Sequence, residues 1–181
     1  MLSDATGHDT TSQLVEEAAG LEPVAEDVRK LASRVPPELA RAALQRAFEV
    51  HEIDGATVLA LVLLAHGEPP SAEAVERIFP DAIDDRAAQL LVAAHPERLA
   101  ILERLLSTRR LDRFQLASAA ALYVHLSPEP PFPGVLIETL RTLARGARPG
   151  WVGEHFARQA ALRIRDPYLD ELYKIDRAQE K

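Results

Sequence analysis

Apolar positions recur along most of the chain at the spacing of one helix face. Val24, Val28, Leu31, Ala32 and Val35 fall at i, i+4, i+7, i+8 and i+11, which predicts an amphipathic helix. No stretch sustains the period-two alternation of a half-buried strand, and the Ala and Leu content favours helix. The chain is therefore predicted to be all-α, with about ten helices. Residues 56–65 and 116–124 are apolar nearly all round and are predicted to lie in the middle of the core. The first run is too short to cross a bilayer, which takes about 20 apolar residues.

The 13 prolines punctuate these periodic segments rather than interrupt them. Proline is tolerated in a first helical turn because its missing N–H has no partner there. Pro23, Pro37, Pro96, Pro133 and Pro167 are thus predicted helix openers, and Gly67, Gly146 and Gly150 the matching stops.

Laid on itself, the chain shows a degenerate repeat of helical hairpins. Asp54, Asp85 and Asp112 each precede an apolar helix as candidate N-caps. Those helices stop near His66-Gly67, His95-Pro96 and His125-Leu126-Ser127-Pro128, and each is followed by a helix with a narrower apolar stripe, such as Leu99, Leu102, Leu105 and Leu106. A last unit runs from Gly150 through Phe156 to Ile164, breaks at Arg165-Asp166-Pro167 and ends with Tyr168, Leu172 and Ile175. Ala-Leu recurs at Ala43-Leu44, Ala121-Leu122 and Ala161-Leu162. So small a hairpin cannot bury its own apolar face, so neighbours are expected to share one core.

The stretch Ala88-Gln89-Leu90-Leu91-Val92-Ala93-Ala94-His95-Pro96-Glu97, continuing to Leu102 and Leu105, resembles bacterial HEAT-like repeats and their leucine-rich-repeat-variant relatives. The resemblance covers residues 54–176. It implies an α-solenoid used mainly to bind other proteins and occasionally nucleic acid. On this reading residues 1–11 form a tail, 12–53 cap the stack, 54–176 are the repeats and 177–181 are a second tail.

Charge narrows the partner. Residues 1–90 carry 7 basic and 17 acidic side chains and residues 91–181 carry 14 and 11, so a half of net −10 precedes a half of net +3. An acidic whole disfavours non-specific nucleic-acid binding, which depends on neutralising phosphates. With no cysteine, disulfides, thiolate metal sites and cysteine nucleophiles are excluded. The first 11 residues lack the basic and apolar segments of a secretory signal, so the cytoplasm is the expected compartment.

Catalytic motifs are absent: there is no His-Glu-x-x-His, Gly-x-Ser-x-Gly, Walker-type loop or dinucleotide fingerprint. His51-Glu52 resembles one His-Glu pair of deoxyhypusine hydroxylase, a di-iron enzyme on HEAT-like repeats, but that family needs several such pairs and the assignment is rejected. His66, His95 and His125 are expected to bond the last carbonyls of their own helices instead of a metal. Asp81, Asp84 and Asp85 lack the spacing of a calcium loop and are read as caps and solvated carboxylates. No metal, cofactor or enzymatic activity is expected.

What stands out is arginine in the second half. Arg141, Arg145 and Arg148 fall at i, i+4 and i+7 and are predicted to share a helix face, with Arg109, Arg110 and Arg113 in the preceding turn and Arg158 in the next hairpin. A guanidinium suits bidentate recognition of carboxylates. The competing account is a solvated face paired internally with Glu138, Glu154 or Asp112. Trp151 is predicted to begin a helix, either packed on the previous hairpin or exposed as a binding hot spot, and Tyr168 and Tyr173 either cap the stack or meet the partner. The favoured function is a non-catalytic adaptor, scaffold or regulatory module that binds an acidic or mixed protein surface. The alternatives are nucleic-acid binding by the basic half, or a ligand carrier or enzyme with a pocket near His155, Glu154 or His51.

Overall fold

A computed structural model describes residues 22–82, 86–108, 110–146, 148 and 150–177. Among them the chain is all-helical, with ten α-helices and no strand. In order these are α1 (Glu22–Ala32), α2 (Pro37–Glu49), α3 (Ile53–Ala65), α4 (Ala72–Ile78), α5 (Arg86–Ala94), α6 (Arg98–Ser107), α7 (Arg113–Leu126), α8 (Gly134–Arg145), α9 (Glu154–Ile164) and α10 (Pro167–Leu172). A 3-10 turn, Phe79–Asp81, follows α4. None of these helices is long and apolar enough to cross a membrane. The predicted tail 1–11, residues 12–21 of the N-terminal segment, Asp84, Asp85 and residues 178–181 lie outside the described residues.

The helices fall into two compact units, Met1–Arg98 and Leu99–Lys181. In the first, α3 touches α1, α2, α4 and α5. Its sequence explains that position: a helix apolar on every side has nowhere stable except a core, and Ala56, Ala60, Leu61, Val62 and Leu63 are buried. Each large aliphatic side chain taken out of water contributes about 1.5–3 kcal/mol. The cap of α3 differs from expectation. Glu52, not Asp54, is the N-cap, and its carboxylate folds back to accept the Gly55 N–H at 2.7 Å. A Cβ on Gly55 would lie 1.9 Å from that carboxylate, so the glycine gives the longer acid room for this pose, and a side chain at 55 would make Glu52 shift.

Two histidines depart from expectation in the same way. His66 follows α3 and His95 follows α5, as the sequence indicates, yet neither ring bonds the carbonyls of its own helix end. His66 Nε2 donates to the Val35 carbonyl at 2.8 Å, and His95 Nε2 donates to the Pro70 carbonyl at 2.9 Å. Val35 lies just before the N-cap of α2 and Pro70 just before the N-cap of α4. Each imidazole therefore ties the end of a hairpin's second helix to the entrance of its first. The antiparallel path makes this possible, because the end of the second helix lies beside the start of the first. His95 is 2% exposed and uses both ring nitrogens, since Nδ1 also accepts the Glu97 N–H at 3.0 Å. His125, in the last turn of α7, is exposed.

In the second unit α7 packs on α8 and α9, and α8 packs on α10. Ala117, Ala119 and Ala120 of α7 and Ala157, Ala160 and Ala161 of α9 are all buried, and short side chains on both helices let their axes approach closely. Asp112 is the N-cap of α7, as predicted, and closes a capping box: its carboxylate accepts the Gln115 N–H, and the Gln115 side-chain oxygen Oε1 accepts the Asp112 N–H, both at 2.8 Å. Pro37 and Pro167 open their helices. Pro133 instead occupies the N-cap of α8, and Pro96 lies in the turn before α6. Tyr123 donates to Glu103 at 3.0 Å, and burial with that bond pushes its phenol up to about 12. Tyr173, buried at the end of the unit, donates to the Leu140 carbonyl at 2.8 Å, and burial raises its phenol too.

Two outcomes are expected. Replacing His95 by alanine strands the buried Pro70 carbonyl and lowers unfolding free energy by about 1–3 kcal/mol, whereas His66→Ala, at an exposed site, lowers it less. Urea unfolding checks this, and an unchanged midpoint for His95→Ala rules out the tie. Because the Tyr123 phenol is raised from 10.0 to about 12 on folding, its contribution to stability is fully present below pH 10 and is lost as pH rises through about 12. The slope of stability against pH in that window is therefore expected to be shallower in Tyr123→Phe.

Candidate functional site

The second-half arginines do not form one face. α8 ends at Arg145, and the chain turns at Gly146, so Arg148 leaves the i, i+4, i+7 line that the sequence predicts. Arg109 lies outside the described residues. Arg110 is exposed in the turn after α6. The remaining arginines separate by what their guanidinium groups touch.

Arg113 is occupied by the backbone. From the first turn of α7 it donates to the carbonyls of Leu143, at 2.5 Å, and Gly146, and so satisfies the free carbonyl end of α8. Its guanidinium also sits 5.1 Å from the centre of the Trp151 ring. A cation over an aromatic face contributes about 0.5–1 kcal/mol at such an exposed site.

Arg141 and Arg145, one turn apart on α8, do share a face, but Tyr168 of α10 fills it. The two guanidinium carbons lie 5.1 and 5.5 Å from the Tyr168 ring centre, and Arg145 Nη2 donates to its hydroxyl at 2.8 Å. That hydrogen bond raises the Arg145 pKa further above its ordinary value. Arg141 also pairs with Glu138 at 2.8 Å and Asp166 at 3.5 Å. Internal pairing therefore holds for Glu138. It fails for the other two acids: Asp112 caps α7, and Glu154 accepts the Gly150 N–H at 2.7 Å. Arg177, which the sequence does not single out, plays the same part for α9. It forks onto Asp170 at 2.6 and 3.0 Å and donates to the Leu162 carbonyl at 2.7 Å.

Trp151 does not begin a helix. It lies three residues before α9, half-buried, in a turn shaped by Gly150 and Gly153. Gly153 has φ +100, and a Cβ there would come within 2.7 Å of the indole, so only glycine lets the ring fold down at this point. With Gly150, Glu154, His155 and Arg158 the indole lines a shallow depression of about 440 Å³. Two apolar side chains stand beside it in the chain. Val152 is 76% exposed, and Phe156 is 40% exposed with its ring edge-on to Phe114 at 5.8 Å and to His155 at 5.9 Å. Arg158 is exposed and its guanidinium has no hydrogen-bond or ion-pair partner among the described residues; the same holds for the guanidinium of Arg148, whose backbone carbonyl accepts the Trp151 N–H at 3.2 Å.

The surface that is available for recognition is thus smaller than the arginine count suggests. It consists of the depression lined by Trp151, Glu154, His155 and Arg158, the exposed Val152 and Phe156 of the same segment, and Arg148 in the preceding turn. Phe156 was not legible as a surface residue, because it fits the apolar stripe of α9. Val152 carried a signal: an apolar residue between turn glycines has no periodic partner with which to be buried. Aromatic and arginine side chains around a partly desolvated depression are the composition of interface hot spots.

No protein-family model, curated protein or solved structure matches the chain.

The sorting of arginines is open to measurement. Arg113→Ala removes two bonds to the α8 end and the cover over Trp151, and is expected to lower unfolding free energy by about 1–3 kcal/mol. Arg148→Ala, without a partner to lose, is expected to change it by at most about 0.5 kcal/mol. Equal losses in denaturant titrations of the two variants overturn the division.

Proposed function

We propose that the chain is a non-catalytic interaction module that works in the cytoplasm as a small HEAT-like α-solenoid and binds an acidic or mixed protein surface. The solenoid reading is supported inside each unit by the way alternate helices meet: α3 lies on α5, α7 on α9 and α8 on α10. The observation that carries the binding reading is the Trp151 depression with the exposed Arg158 in its lining, in a segment that also exposes Val152 and Phe156. Burying the exposed parts of Val152 and Phe156 against an apolar side chain of a partner is favourable, and the open Arg158 fork can select a carboxylate beside it.

The interaction is expected to weaken with salt, though only in part, because apolar burial is insensitive to ionic strength. In affinity capture followed by titration of the purified partner, the double variant Val152→Glu, Arg158→Glu is expected to bind at least about tenfold more weakly, equivalent to roughly 1.4 kcal/mol. Its unfolding midpoint should match that of the parent, since neither side chain is part of the core. A partner held equally by parent and variant sinks the assignment of this face. Arg141→Glu and Arg145→Glu make poor tests, because both residues are engaged by Tyr168.

A further inference from the structure

We propose that Arg113 is a positioning residue for the Trp151 depression: its guanidinium straps the connection between α8 and α9 at both ends and so sets the shape of this surface before anything binds it. The inference goes beyond the binding reading and holds whatever the depression takes.

The strap starts from a fixed base. The capping box between Asp112 and Gln115 pins the first turn of α7, of which Arg113 and Phe114 are the first two residues. Arg113 reaches across to α8 and donates to the Leu143 and Gly146 carbonyls. The same guanidinium lies 5.1 Å from the centre of the Trp151 ring. Gly146 is the C-cap of α8, and Trp151 comes three residues before α9. One side chain therefore holds the connection where it leaves one helix and again where it nears the next. Phe114 supports the second end. Its ring meets Phe156 edge-on at 5.8 Å and lies 3.3 Å from the place that a Cβ on Gly153 would take.

The chemistry of the strap is specific to arginine. A planar guanidinium forks to two carbonyls and still presents a face to an aromatic ring, whereas an ammonium is a single point charge. Gly146 leaves room for the fork, since a Cβ there would lie 3.2 Å from Arg113 Nη1. Two weaker ties act on the same stretch: the Trp151 N–H donates to the Arg148 carbonyl at 3.2 Å, and the Gly150 N–H donates to Glu154 at 2.7 Å. A depression shaped in this way beforehand has less conformational freedom to lose when it is filled.

Trp151 is the only tryptophan, so its fluorescence reads the depression directly. The experiment measures acrylamide quenching of the indole and amide hydrogen exchange in the full chain and four variants. Arg113→Ala is expected to raise quenching and to speed exchange at the Gly150 and Trp151 amides at least about tenfold, equivalent to roughly 1.4 kcal/mol of local stability. Arg113→Lys, which guards against an alanine variant that fails to fold, is expected to fall between the two. Arg148→Ala loses no guanidinium contact, and Ile101→Val only thins the buried core of the same unit, so neither is expected to move the two readouts. Quenching and exchange unchanged in folded Arg113→Ala, or Arg113→Lys indistinguishable from the parent, overturn the proposal. So does an Ile101→Val effect as large as that of Arg113→Ala, because general loss of stability then accounts for both.

Discussion

Short helices have proportionally more end than middle, and the rest of this structure follows from that constraint. Each α-helix leaves four N–H groups and four carbonyls without partners inside it, and the helices here run from six to fourteen residues. The unpaired ends must be satisfied by side chains or water. Glu52, Ser71, Asp112 and Asp166 serve N-termini. Arg113 and Arg177 serve the carbonyl ends of α8 and α9. His66 and His95 serve the carbonyls at the entrances of α2 and α4. Most of the polar side chains that look like chemistry in the sequence are instead fixing where one helix stops and the next begins.

This accounts for the narrowing of the arginine face. An arginine near the end of one helix and the start of another faces a choice between a partner molecule and a carbonyl fixed a few ångströms away, and the nearby carbonyl requires no loss of translational freedom. Arg113 takes the carbonyl. Arg141 and Arg145 take Tyr168, which the terminal helix supplies. Only arginines displaced into turns or onto outer faces, such as Arg148 and Arg158, keep their forks open. The binding reading therefore rests on side chains that the fold leaves over, with Val152 and Phe156 beside them.

The helical class, the helix count and the buried character of α3 and α7 were legible because they depend on periodicity and on runs of Ala, Leu and Val, which are properties of consecutive residues. Asp112 was legible as a cap because a capping box is complete within four residues. The histidine ties were half legible: the recurrence of histidine after a helix could be read, but its acceptor is 31 residues away for His66 and 25 for His95, and no local pattern reports such a distance. Asp54 was misread for a related reason, since the preference for short caps gave way to a glycine that admits the longer Glu52. Arg141, Arg145 and Arg148 were misread as one face because helical spacing was carried past Gly146, where the helix had ended.

The turn before α9 has a consequence for how such a surface changes over generations. Gly153, held at positive φ beneath the indole, admits no side chain, and Glu154 is tied to the Gly150 N–H. Neighbouring Val152 touches little of this frame and projects into water. Residues that set the shape of the turn and a residue that faces solvent are thus adjacent in the chain but mechanically independent. Mutation at position 152 can therefore alter the chemistry of this surface without passing through a poorly folded intermediate, so its outer face is free to drift while the scaffold is held in place.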